Sequence, residues 1–397
     1  MRVFLGVSGQ AGQPMALARG LRALGVDASA VCVSSGAFDY ECDEPLRLRH
    51  DRDHEGVAAW LDANLHRFDV FHFHSRPFLI QSGELRFPSM LDLLMLKAAR
   101  KAVLFHYRGT EIRFQEAFRQ ANPHHFCDDD PGGLFARIGD HTKATHLAFV
   151  RAVADRILVT DPEIAAYVGE GAMVVPRAID MDAWPDVGVA ENEHPDGPLI
   201  CHAPSRRGLK GTDSLLAALE QLKAEGVRFR LDLIEGVPNQ QARERLMQAD
   251  LVVDQLRIGW YGVLAVEAMA LGKPVVAYLR EDLIAAAPAG LPVVSASPDT
   301  VADCLRGLLT DAARRRDLAR QSRAFCAGYH ANTVVARQLA DIYRDALATP
   351  APLNVTGAFR LLDHQVALER RMAVEQALRA RSLGALWRRL RRALSLQ

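Results

Sequence analysis

Glu267 is the one charged residue in the run Val263-Leu264-Ala265-Val266-Glu267-Ala268-Met269-Ala270. The rest of that run consists of good helix formers up to Gly272, a glycine stop, so a lone carboxylate there needs a reason. Just ahead lies Gly259-Trp260-Tyr261-Gly262, a turn whose glycines let backbone come close to a ligand. The first helical amides, near Val263 and Leu264, have no partner within the helix. They form an anion site, most naturally for phosphate. Helical side chains lean toward the N-terminus, so the Glu267 carboxylate reaches back beside that anion. A carboxylate does not bind phosphate, but it accepts hydrogen bonds from the paired hydroxyls of a ribose. Phosphate on the amides and ribose on the acid together point to a nucleotide. The plainer alternative is a helix carboxylate satisfied by neighbouring amides.

A second charged group lies in Ser205-Arg206-Arg207-Gly208-Leu209-Lys210-Gly211, between an expected strand and an expected helix. Cations fixed on such a loop suit a diphosphate, which arginine can hold with two parallel bonds. A solvated basic turn is the alternative. Glu235 follows the strand that starts at Arg230. Further back, Phe68–His74 alternates as a strand, with His72 and His74 on one face. Ala102–Arg113 reads as a strand running out through His106 into Gly109-Thr110-Glu111. Ligands of open α/β sheets sit at such carboxyl ends. The histidines have no nearby carboxylate at ligand spacing, which argues against a metal. Polar strand ends satisfied by backbone remain the bland reading.

The stretch around Glu267 resembles the donor-binding segment of GT-B fold glycosyltransferases, specifically the retaining family 4. In that family a Glu, seven residues and a second Glu surround a glycine-aromatic-glycine turn and run into Glu-Ala-Met-Ala and Gly-Lys-Pro-Val. Glu267 matches the second Glu, whereas the first falls on Gly259, a departure from the pattern. The first Glu of the family contacts the transferred sugar. The resemblance implies a nucleotide diphosphate sugar as substrate, no cofactor and no metal for donor binding. It also implies that Lys210, with Arg206 or Arg207, neutralises the departing diphosphate. His106 would position the transferred sugar, and Trp260 and Tyr261 would wall its site. Glu235 would lie near the nucleobase. Gly9 and Gly12, in the loop after the first strand, would face the acceptor with His74 and Glu111. A sugar-nucleotide epimerase of the same fold and an inactive nucleotide-sugar-binding subunit are the competing readings.

These residues require a scaffold of strands and helices to bring them together. At 397 residues, 49% of them hydrophobic, the chain can bury two cores. The expected fold is α/β: two Rossmann-like GT-B domains with the site in the cleft between them, plus a C-terminal helical extension. The expected boundaries are 1–185 for an acceptor-side domain, 186–198 for a linker and 199–350 for a donor-binding domain. Residues 114–148 read as irregular, and 351–397 as a basic helix. That extension carries net charge +6, leaving −6 for the remainder of a chain that is neutral overall. A mildly acidic body argues against nucleic acid as a partner. In the extension, Leu383, Leu386, Trp387, Leu390 and Leu394 share one face and arginines the other. That pattern suits an anionic membrane surface, or equally a helix packed on protein. Six cysteines without a CxxC pair read as reduced thiols. The expectation is a cytoplasmic protein, peripheral on the inner face of the cytoplasmic membrane, with a glycan or lipid-linked acceptor.

Overall fold

Short apolar runs form parallel strands where helices cover both faces of a sheet. In the computed structural model this happens twice. The structure describes residues 1–33, 40–49, 53–78, 91–128, 139–190 and 194–361, with Asp363, Ala367 and Val374 beyond them. The first sheet contains β1 (Arg2–Ser8), β2 (Asp27–Val33), β3 (Glu44–Leu46), β4 (Val70–His74), β5 (Ala102–Tyr107), β6 (Arg156–Val159) and β7 (Ala172–Val174). Its order is β3-β2-β1-β4-β5-β6-β7. The second contains β8 (Leu199–His202), β9 (Arg230–Leu233), β10 (Leu251–Val253), β11 (Val275–Ala277) and β12 (Val294–Ser295), in the order β12-β11-β10-β8-β9. In the second sheet the chain reverses direction across the sheet between β8 and β10. Loops after those two strands therefore open a crevice at their carboxyl ends. These are the loops that carry Lys210 and the Gly259–Gly262 turn.

Residues 114–148 are more regular than the sequence suggests. Helices cover Gln115–Ala121 and Asp140–Val153. The Asp140 carboxylate accepts from the amides of Gln115 and Glu116, so a residue far along the chain starts the first of these helices. Asp161 caps helix Pro162–Val168, its Oδ1 accepting from the Ile164 amide at 3.0 Å.

The chain also crosses back. Helix Asn332–Ala348 falls within the stretch expected to complete the second domain, but it buries Val335, Ala336, Leu339 and Tyr343 in the core of the first sheet. It lies close against helix Gln13–Ala23. A Cβ at Gly20 would be 2.3 Å from the Asn332 carbonyl oxygen, so glycine is what permits that approach. The two crossings between the sheets pair with each other. The Ile179 amide donates to the His330 carbonyl at 2.8 Å, and the Asn332 amide to the Ile179 carbonyl at 2.8 Å. A second clasp joins the halves where Phe118 and Phe126 pack on Ile258 and the Asn122 amide group donates to the Arg257 carbonyl at 2.9 Å.

Candidate functional site

Helix Val263–Ala270 buries every residue it has except Val263 and Glu267, which are only partly covered. Gly262 is its N-cap and offers no side chain to the first amides. The Gly262 amide itself donates to Asp254 Oδ2 at 2.5 Å. Asp254 follows β10 and is fully buried. Its other oxygen accepts from Lys210 Nζ at 2.8 Å, and Gln255 Oε1 accepts from the same nitrogen at 2.8 Å. Lys210, expected on the diphosphate, and Gly262, expected in the donor-binding turn, thus meet through Asp254 across the crevice between β8 and β10. A Cβ at Gly262 would lie 2.8 Å from Asp254 Oδ2, which leaves only glycine for this contact.

Glu267 faces a cleft of about 410 Å³ between the two halves. Gly12 and Gln13 line it from the first sheet, Arg177 and Trp184 from the crossing, and Pro238, Arg243 and Val263 from the second. Among the described residues the Glu267 side chain makes no hydrogen bond or ion pair. Burial, then the Asp254 carboxylate, push its carboxyl up to about 7, while Lys210 and Arg243 pull the other way. Arg243 stacks its guanidinium over the Trp184 ring at 4.8 Å, and its Nε has no partner among the described residues. An acid, a helix start and a cation therefore share one wall of the cleft. Arg243 was not legible from sequence, because an arginine in the polar helix Asn239–Leu246 reads as solvated.

The other expected residues are dispersed. Arg207 holds Glu235 at 2.8 and 2.5 Å in a partly exposed pair, and Arg206 precedes it as the cap of a short helix. None of these three lines the cleft. Trp260 and Tyr261 are buried, with ring centroids 5.4 Å apart, and the Tyr261 hydroxyl meets His330 Nε2 at 3.1 Å in the crossing segment. Gly12 lines the cleft, whereas Gly9 does not, and the Gly9 carbonyl accepts from the Gly12 amide at 3.0 Å. Glu111 turns back to accept the amides of Arg108 and Gly109.

His74 and His106 are buried beside His72, and ring nitrogens of the three lie within 4.8 Å of one another. His72 Nδ1 meets the Tyr343 hydroxyl at 2.7 Å, and its Nε2 lies 3.2 Å from His106 Nδ1. Burial holds all three well below their usual range, so they are neutral at pH 7. The donor set does not suit a metal. Arg108 Nη1 lies 3.0 Å from His74 Nδ1. A guanidinium only donates, so His74 accepts there, whereas a metal-bound histidine donates from its second nitrogen. A dication would also sit beside that guanidinium.

No protein-family model matches the chain. A D-inositol 3-phosphate glycosyltransferase of Corynebacterium urealyticum is 31% identical over 163 residues, covering 40% of this chain and 38% of that protein. The match therefore spans well under half of that relative's length. Sucrose-phosphate synthase from Thermosynechococcus elongatus superimposes with a TM-score of 0.60 at 15% identity, over 88% of this chain and 100% of the other. The fold is GT-B. HepE of Anabaena, in complex with UDP and glucose, superimposes with a TM-score of 0.56 at 15% identity, over 86% of this chain and 99% of the other.

Within this GT-B chain the missing first Glu has a structural counterpart. Gly259 has φ +95°, and a Cβ there would lie 2.5 Å from Arg280 Cδ. Arg280 is buried and pairs with Asp282 at 2.6 Å. Gly259→Glu should therefore lose about 3 kcal/mol or more of stability from strain and overlap. It should bring no gain in turnover. Urea unfolding checks this, and wild-type stability in the variant would show that the space is freely available.

Proposed function

We propose that the chain transfers a hexose from a nucleotide diphosphate sugar to a hydroxyl acceptor with retention, as the resemblance to family 4 implies. Glu267 supports this reading most directly: a carboxylate with no partner among the described residues, one turn into a helix, facing an interdomain GT-B cleft beside Arg243. Its carboxylate takes the ribose hydroxyls, and the amides of Val263 and Leu264 take the diphosphate. Lys210 and Arg243 stabilise charge that grows on the diphosphate as the sugar leaves. The acceptor enters from the Gly12 side. On the same face of the sugar, the leaving diphosphate takes the acceptor proton, so no isolated pair of carboxylates is needed. Donor binding needs no metal in this reading, because cations and amides already meet the phosphates.

The test is release of free nucleoside diphosphate from a panel of nucleotide sugars, with and without a crude lipid or polysaccharide acceptor. Acceptor-dependent release supports transfer. Release unaffected by acceptor would count against it. Gly259 favours one second reading, an inactive subunit that binds the donor, for which the expected result is tight donor binding without turnover.

The acceptor we propose is a glycan or lipid-linked glycan at the inner face of the cytoplasmic membrane. Among the described residues no helix is long and apolar enough to cross a membrane. The arginine-and-leucine stretch at 381–397 lies outside the described residues. If it lies on lipid, each cation contributes roughly 1 kcal/mol near an anionic surface. The full chain should then sediment with anionic liposomes, and a chain ending at Ala380 should not. Equal sedimentation of the two would refute this role.

A further inference from the structure

We infer that the carboxyl ends of β4 and β5 form a second anion site, for a carboxylate or phosphate carried by the acceptor, built from His74, Ser75 and Arg108 with Arg177 beside it. The inference rests on the reading of the cleft as a place where donor and acceptor meet.

Three buried donors in this cluster lack acceptors among the described residues. Arg108 Nη1 is engaged with His74 Nδ1 at 3.0 Å, but Arg108 Nη2 has no partner. Because His74 accepts at Nδ1, its proton is on Nε2, and that nitrogen also has no partner. The Ser75 hydroxyl is the third. Buried polar groups are nearly always paired, so three donors on neighbouring strand ends ask for a ligand rich in acceptors and poor in donors. An oxyanion has that character.

The local charge agrees. Burial and the nearby Arg177 push Arg108 down to about 9. The carboxylates that could neutralise the two guanidiniums are already used. Glu111 accepts from two backbone amides, and Asp161 from the Ile164 amide, the Thr160 hydroxyl and Arg177 Nη1 at 3.0 Å. Arg177, whose charge acts on Arg108, also lines the cleft that Glu267 faces. Ser75 has φ +62°, a conformation a non-glycine residue adopts at some cost. Its amide is fixed on the His106 carbonyl at 2.9 Å. Held strain of this kind collects at ligand clamps. The histidines behind it, neutral and tied to Tyr343, give the cluster a rigid backing without competing charge.

The experiment is calorimetric titration of the full chain, first with UDP and then, at saturating UDP, with inorganic phosphate, D-glucuronate and D-glucose. At least one anion should bind about tenfold or more tighter than glucose. Arg108→Gln should lose about tenfold of that affinity and Ser75→Ala a smaller part. UDP affinity should stay unchanged in both variants. Should Arg108→Gln fail to fold, Ser75→Ala carries the test. Phosphate binding without glucuronate binding identifies a phosphorylated acceptor, and the reverse an acidic sugar. Glucose binding as well as the anions, full anion affinity in the folded variants, or anion binding abolished by UDP would each overturn the site; the last would mean the donor's own diphosphate fills it. Anion binding by a chain that does not bind UDP would sink the donor reading and leave this site standing.

Discussion

Lys210→Ala should lose both stability and turnover, by amounts that can be separated. Lys210 Nζ is buried against Asp254 and Gln255, and Asp254 is fully buried. Removing the cation leaves a carboxylate in the interior held, among the described residues, by the Gly262 amide alone. Breaking one partner of such a pair costs roughly 3–5 kcal/mol. Turnover should fall by about two to three orders of magnitude, because a cation that stabilises growing diphosphate charge acts most strongly in the transition state. The companion variant Lys210→Met with Asp254→Asn removes the stranded charge. Its stability, read by urea unfolding, should recover most of the loss while turnover stays low. Wild-type turnover in the double variant would mean that Lys210 serves the fold alone.

The pair illustrates what the sequence could and could not reveal. Lys210 and the Gly262 turn were legible because each follows a strand and precedes a helix, a pattern with a phosphate-binding logic. Asp254 was not, because it ends an apolar run that reads simply as β10. Only the strand order, with β8 beside β10, makes the two loops neighbours. The family resemblance makes Trp260 and Tyr261 walls of the sugar site, in the place of the missing Glu. Both are buried, and His330, from the returning segment, packs on Tyr261. The same return carries helix Asn332–Ala348 to the first sheet. Its amphipathic pattern announces a buried face but does not say which sheet covers it. Alternation on β4 correctly put His72 and His74 together. His72 meets Tyr343 of the returning helix instead of opening to the cleft. In each case the element was legible and its distant partner was not.

Glu267 makes the second large effect a matter of pH. Its carboxyl is pushed up to about 7, mainly by burial, from an ordinary value of 4.5. The folded value is above the unfolded one, so the unfolded chain holds fewer protons at this site between those two values. Stability from this group is therefore complete below about 4.5 and is lost as pH rises through about 7. Above that, the ionised acid costs roughly 3 kcal/mol, because each tenfold change in an ionisation constant corresponds to about 1.4 kcal/mol. Glu267→Gln should thus be more stable than the wild type at pH 8, with the gap closing toward pH 5. Ligand binding runs in the opposite sense. Only the ionised acid accepts from both ribose hydroxyls, so nucleotide-sugar affinity should be flat above pH 7 and fall up to tenfold per pH unit below it. UDP-glucose is the right probe, since its diphosphate is a diester and does not titrate in this range. Glu267→Gln should bind it more weakly at pH 8 and with no such slope. A variant that matched the wild type at pH 8 would show that the ribose lies elsewhere. A wild type whose affinity did not change between pH 6 and 8 would show that the acid is ionised throughout, held so by a partner the free cleft does not contain.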